Sequence, residues 1–179
     1  YDLLHTTFYD EENVHYLHAA ADKYFSHILD CMYVCNNSVV RDEERAGDPT
    51  EIALKEVVST QRNTVYYTDF TREKEIPFDS EKKYMVVATQ HAGDRVAYLK
   101  GSVEQILAKS TKVVHHNKQI RLIKKYKEEL LAQHDKLAKQ GQRMLALAYK
   151  PLGKTVANTS YLQEENYIFL GLIALQDPP

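Results

Sequence analysis

Between residues 64 and 101 the hydrophobic pattern falls into a period of two, carried by β-branched and aromatic side chains, in segments at 65–70, 74–78, 84–89 and 95–100. A parallel neighbour would need a crossover of roughly a dozen residues or more, and no connection here has that length. The segments must therefore lie as antiparallel neighbours in one sheet. Ala92-Gly93-Asp94 is the turn that folds the last two into a hairpin. With helical patterns on both sides of this block, the expected class is α+β, an antiparallel β-sheet flanked by helices.

The last of these strands stops at Lys100-Gly101, and a helical pattern starts at once over 103–109. A strand-to-helix junction of this kind sets a fixed cation beside a backbone that can approach a ligand closely. Ser102 and Gln105 have the spacing of a capping box that would start the helix.

Two long amphipathic helices are expected as well. Val14, Leu17, His18, Ala21, Tyr24, Phe25, Ile28, Leu29 and Met32 recur at three and four, with His18 read as a core or boundary histidine. Leu122, Ile123, Tyr126, Leu130, Leu131, His134, Leu137 and Ala138 make the second, closed by Gly141, with its lysines on a solvated face. Asp48 as N-cap, Pro49 at the first helical position and Glu51 three after the cap spell a third helix start with a capping box, from which Ile52, Ala53, Val57 and Val58 can face a core. The stretch from Asn36 to Gly47 reads as a surface loop, and the residues before Asn13 as loop or short strand. Residues 113–120 form a small hairpin turning at Asn117, and 143–149 alternate as a strand. Pro151 and residues 153–160 form a loop, and 167–175, apolar throughout, form a strand buried on both faces.

The 179 residues suffice for one domain with a sizeable core. Lys plus Arg number 23 against 25 Asp plus Glu, so no basic excess argues for a nucleic-acid or membrane surface, and an anion must be held by local charge. The apolar run 167–175 is far short of the ~20 residues of a membrane helix. Cys31 and Cys35 could lie one helical turn apart, which suits buried core thiols better than a disulfide framework or a metal site. His115-His116 cannot both serve one metal, because adjacent strand residues face opposite ways. There is no GxxxxGK phosphate loop, no GxGxxG turn and no nucleophile elbow. The residues alone thus reach an α+β domain with an anion site near Lys100.

Five segments in order carry a resemblance that goes further. Gly47-Asp48-Pro49-Thr50-Glu51-Ile52-Ala53-Leu54 resembles the GDPTE-AL segment of the nucleotide-binding domain of P-type ATPases, the ion pumps that pass through an aspartyl-phosphate. Phe78-Asp79-Ser80-Glu81-Lys82-Lys83-Tyr84-Met85 resembles its FxSxxKxM, and Lys100-Gly101-Ser102-Val103-Glu104 stands where KGAPE is expected, with Ser-Val replacing Ala-Pro. Gly141-Gln142-Arg143-Met144-Leu145-Ala146-Leu147-Ala148 is similar to GxRxLAxA, and Asp177-Pro178-Pro179 to the DPP leading back into the phosphorylation domain.

The resemblance implies a single nucleotide-binding domain over 1–179, with 177–179 the start of the hinge, excised from a longer membrane pump of the calcium-pump-like branch. It implies that Phe78 stacks on adenine, Glu51 meets the adenine amino group, and Lys83 and Lys100 with Gly101 bracket the pocket. Arg143 would reach the phosphates and Leu145 form an apolar wall. Read from the residues, Glu51 could instead spend its carboxylate on its own helix end. ATP, as Mg-ATP in the whole pump, is the implied ligand. The implied partners are the phosphorylation and actuator domains of the same polypeptide, with no nucleic acid and no direct membrane contact. The phosphorylated aspartate would lie elsewhere, so no catalytic residue and no metal ligand is expected in this chain. Its expected place is a cytoplasmic domain of an integral membrane protein. Two further readings remain: an interaction module with a degenerate pocket, and a free-standing kinase or phosphatase, which the missing phosphate loop disfavours.

Overall fold

The computed structural model describes residues 2–7, 23–41, 44–115, 118–154 and 158–176. In chain order it runs β1 (Asp2–Thr7), α1 (Lys23–Val34), β2 (Val39–Arg41), β3 (Glu44–Ala46), α2 (Pro49–Gln61), a 3-10 helix (Thr64–Asp69), β4 (Thr71–Asp79), β5 (Tyr84–His91) and β6 (Asp94–Gly101). It continues with α3 (Val103–Lys109), β7 (Ser110–His115), β8 (Lys118–Arg121), α4 (Lys124–Ala138), β9 (Arg143–Pro151), α5 (Thr159–Gln163) and β10 (Tyr167–Gln176).

The main sheet has the order β4-β5-β6-β9-β10-β7-β8, with β1 pairing β10 on the side it shares with β7. All pairings are antiparallel except β10 with β7. β10 is apolar along its length because it is buried on both faces. Ile168, Leu170, Ile173 and Leu175 join the cluster under α1 and α2, whereas Tyr167, Phe169 and Leu172 join the one under α3 and α4. The expected α+β architecture is therefore present, as three layers.

The β5–β6 hairpin turns through Ala92 and Gly93, both at positive φ (49° and 87°), the backbone that a two-residue turn between twisted strands requires. α3 occupies the expected residues. α4 ends before Gly141, whose φ of 80° suits glycine past a helix end. Cys31 and Cys35 are free and buried, with Sγ atoms 3.6 and 3.3 Å from the carbonyl oxygens of Leu99 and Tyr98.

Several expectations are corrected. Residues 64–69 form a 3-10 helix and not a strand: the Asn63 side chain accepts from Val65 N–H, and the Tyr67 ring stacks on Tyr33 at 3.8 Å. Aromatic and β-branched residues mark a half-buried surface as readily as a strand. The stretch 36–47 is not a plain surface loop, since β2 and β3 pair within it. Asn36 and Ser38 are buried, the Asn36 amide donating to the Met32 and Glu51 carbonyls.

α5 interrupts the 153–160 loop and reaches beyond it. The carbonyls at its C-terminal end accept from buried Lys150 (Tyr161 O, 2.7 Å) and from Lys109 (Gln163 O, 2.5 Å). Of the expected first helix only Lys23–Val34 is described; its earlier turns with His18, like His116 and Asn117, lie outside the described residues. The segment before Asn13 contains strand β1.

Candidate functional site

α2 begins as its sequence dictates. The Asp48 carboxylate accepts from the N–H groups of Thr50 and Glu51, and Pro49 occupies the first turn. The reciprocal half of the capping box does not form. Glu51 turns away, accepting from Lys100 Nζ at 2.9 Å through one oxygen and from Asn37 N–H at 2.8 Å through the other. Lys100 lies on β6 and is only 6% exposed, so its charge is held by this carboxylate. The fixed cation expected at the junction is part of an ion pair that closes β6 onto α2.

Arg143, at the start of β9, reaches the same helix start and donates to Thr50 Oγ1 at 2.8 Å. Leu145, two residues on along the same face, is half-buried and packs on the cluster under α1 and α2. The N-terminal turn of α2 thus gathers Glu51, Lys100 and Arg143.

Phe78 belongs to a row crossing the sheet. Ile76 pairs Val86 and Asp79 pairs Tyr84, so Pro77 and Phe78 both oppose Met85 in a bulge on the edge strand. Met85 pairs Lys100, which in turn pairs Leu147. At ~4.8 Å between neighbouring strands, Phe78 lies two strands, roughly 10 Å, from the Lys100 backbone. Its ring is 60% exposed, uncommon for a phenylalanine in a strand.

Lys83 closes the turn from β4 to β5 at φ 57°, exposed, with its N–H on Asp79 O (2.6 Å) and its carbonyl accepting from Ser102 N–H (2.9 Å). Asp79 shapes that turn: its carboxylate accepts from Lys82 and Glu81 N–H groups, which hold its pKa below the usual value. Gly101, paired with Tyr84, lies so close that a Cβ would fall inside contact distance of the Lys83 carbonyl oxygen and 2.7 Å from Tyr84 Cα. The glycine is required for the approach of these two backbones.

The Ser102–Gln105 capping box is a correction. Ser102 sits at the N-cap of α3 with no side-chain hydrogen bond, and its Oγ is buried without a partner among the described residues. Thr50 and Asn37 are the participants that sequence reasoning missed. Thr50 lay within the GDPTE segment; Asn37 acts through its backbone and left no signal in the sequence.

The family described as "P-type ATPase, cytoplasmic domain N" matches residues 24–179. The chain belongs to this family. Among relatives of the domain N chain, "Calcium-transporting ATPase 1" of Bacillus cereus (strain ATCC 10987 / NRS 248) is 33% identical over 156 residues, 85% of this chain and 17% of that protein. "Calcium-transporting ATPase type 2C member 1" of Homo sapiens is 30% identical over 86% of this chain and 16% of its own length. A "Probable cation-transporting P-type ATPase" of Mycoplasma genitalium (strain ATCC 33530 / DSM 19775 / NCTC 10195 / G37) is 37% identical over 82% of this chain and 16% of its own length. The domain N chain thus spans about a sixth of these relatives. Among its described residues no helix is long and apolar enough to cross a membrane.

Proposed function

We propose that this chain binds ATP at the Phe78–Lys100 end of the sheet, as the nucleotide-binding domain of a P-type cation pump. The whole of 1–179 serves as that domain, and 177–179 begin the hinge to the phosphorylation domain. The observation that carries the reading is the row Phe78, Met85, Lys100: an exposed aromatic face on a bulge, an apolar step, and a cation at a glycine junction. A base stacked on Phe78 would gain ~1–3 kcal/mol without regard to its identity. Lys83 supplies an exposed ammonium from the turn between β4 and β5, and Arg143 a guanidinium fork suited to phosphate oxygens.

In the whole pump the domain holds adenine and ribose and presents the γ-phosphate to an aspartate in a separate phosphorylation domain. Phosphoryl transfer asks mainly for such positioning and charge neutralisation. In the whole pump the nucleotide would be Mg-ATP, the metal arriving with the triphosphate. Calcium is the ion named for two of the relatives, and we take it as the transported ion of this pump.

The Glu51–Lys100 pair is the one observation favouring a degenerate, docking-only module, because it occupies a cation expected to face the ligand. Titration of the labelled chain with a non-hydrolysable ATP analogue, followed by NMR, separates the two. Saturable shifts confined to Phe78, Lys83, Gly101 and Arg143, weakened at least tenfold by Phe78→Ala, support ATP binding. No localised shift would sink it.

A further inference from the structure

From residue 105 to 127 the chain holds no Asp or Glu but seven Lys and Arg, in a protein whose net charge is −2. Lys109 of this run is engaged, donating to Gln163 O at 2.5 Å. The other six gather on β7, β8 and the first turn of α4, at the edge of the main sheet opposite β4.

Their positions work against stability. Lys112 stands directly across the ladder from Arg121, and like charges in register repel. These two and Lys118 are exposed, with no acidic partner among the described residues. The first turn of α4 has no acidic residue, and its N-cap, Ile123, makes no side-chain hydrogen bond. Lys124 and Lys125 sit there against the helix dipole and reach Glu128 and Glu129 only at 3.6 and 3.7 Å. A lysine on the outer strand is enough to guard a sheet edge against unwanted pairing. Cations that also crowd the next strand and a helix start go beyond that task, and local choices that cost stability mark functional sites.

The geometry also selects the kind of partner. β8 is the outermost strand, with no strand on its outer side among the described residues, so the backbone groups on that side are open to pairing. Its side chains alternate between faces: Gln119 reaches Tyr149 Oη under α1 on one, and Ile120 packs under α3 and α4 on the other. Arg121 and Lys112 share the face of Gln119, and Lys118 shares that of Ile120. A planar anionic membrane meets one face of a sheet. An extended peptide along the open edge presents side chains to both.

We infer that this edge is a docking surface for an extended acidic segment of a partner protein, which lies along β8 and sets its carboxylates among Lys118, Arg121, Lys112 and the lysines at the start of α4. β8 lies four strands from β6, and the inference is independent of the nucleotide reading.

The test titrates the isotopically labelled 179-residue chain with a capped peptide of three Thr-Glu-Glu repeats, and with its Thr-Gln-Gln counterpart as comparator. The expected result is saturable NMR shifts at the backbone amides of β8 and of Lys124 and Lys125, with Phe78 and Lys83 unmoved. The uncharged peptide should bind at least tenfold more weakly, and rising salt should weaken the acidic one. Lys118→Glu combined with Arg121→Glu should cost the acidic peptide at least tenfold in affinity. Lys112→Glu separates binding from folding: it should weaken the peptide while melting no lower than wild type. The assignment is overturned by no saturable shift at β8, by equal affinity for the two peptides, or by folded charge-reversal variants that bind like wild type. Shifts at β8 produced by phosphatidylserine vesicles or by self-association, in place of the peptide, overturn it as well.

Discussion

Lys100 on the third strand of the antiparallel block and Glu51 in the first turn of α2 form an ion pair at 2.9 Å, across 49 residues of sequence. The ammonium is the more buried partner, with 7% of its side chain exposed against 19% for the carboxylate. Losing one partner of such a pair leaves the other charge uncompensated, and the cost follows the burial of what remains. Glu51→Gln should therefore destabilise the chain by about 1–3 kcal/mol, and Lys100→Met by less. The double variant should recover part of the loss. Urea unfolding of the four proteins measures this, and additive effects would show that the pair is not coupled.

Ser102 reverses the expectation drawn from its sequence. A capping hydroxyl would make Ser102→Ala costly by ~1 kcal/mol, but the observed Oγ is buried and bonded to nothing described. Removing it relieves a desolvated polar group. Ser102→Ala should leave the melting temperature unchanged or raise it. A fall of several degrees would mean that the hydroxyl caps α3 after all.

Asp30 gives the chain a pH signature. Burial pushes its pKa up to about 6, with Arg62 and then Tyr98 opposing the shift. The folded pKa lies above the ordinary aspartate value of 3.8, so between about pH 4 and 6 the folded state holds a proton that the unfolded state has released. The Asp30 contribution is thus fully present below about pH 4 and is lost as pH rises through 6. Asp30→Asn removes this titration. Relative to wild type its stability should rise by about 1–3 kcal/mol between pH 4 and 7, read by urea melts across that range. A constant difference between the two proteins would refute the shift.

Lys112 on β7 faces Arg121 on β8 directly across the ladder, both exposed, with no acidic partner described for either. Like charges in register repel, and an opposite pair there contributes roughly 0.2–1 kcal/mol. Lys112→Glu should raise the melting temperature by about 1–3 °C at low salt, and high salt should shrink the gain. Differential scanning calorimetry at two ionic strengths decides it.

How much of this was legible in the sequence depended on how local the cause was. The Ala92-Gly93 hairpin, the Asp48-Pro49 helix start and α3 rest on residues within a few positions of one another, and all were readable. The 3-10 helix at Thr64–Asp69 was not, because Tyr67 is placed by its stack on Tyr33, a contact that no periodicity encodes. Glu51 illustrates the same limit at the site: spacing showed a capping box, but a buried ammonium from another strand competes for the carboxylate and wins. The parallel pairing of β10 with β7 escaped for the same reason.

The position of β10 has a consequence for biogenesis. It is the last strand among the described residues, yet it lies in the interior of the sheet, between β9 on one side and β7 and β1 on the other. During vectorial synthesis the β4-β5-β6-β9 ribbon and the β7-β8 hairpin emerge with no strand to join them. Both must wait with apolar edges uncovered until residue 176 has left the ribosome. Folding of this chain is therefore a late event governed by its most distant pairings, and a nascent chain stalled before Tyr167 should be a substrate for chaperones and not a smaller stable domain.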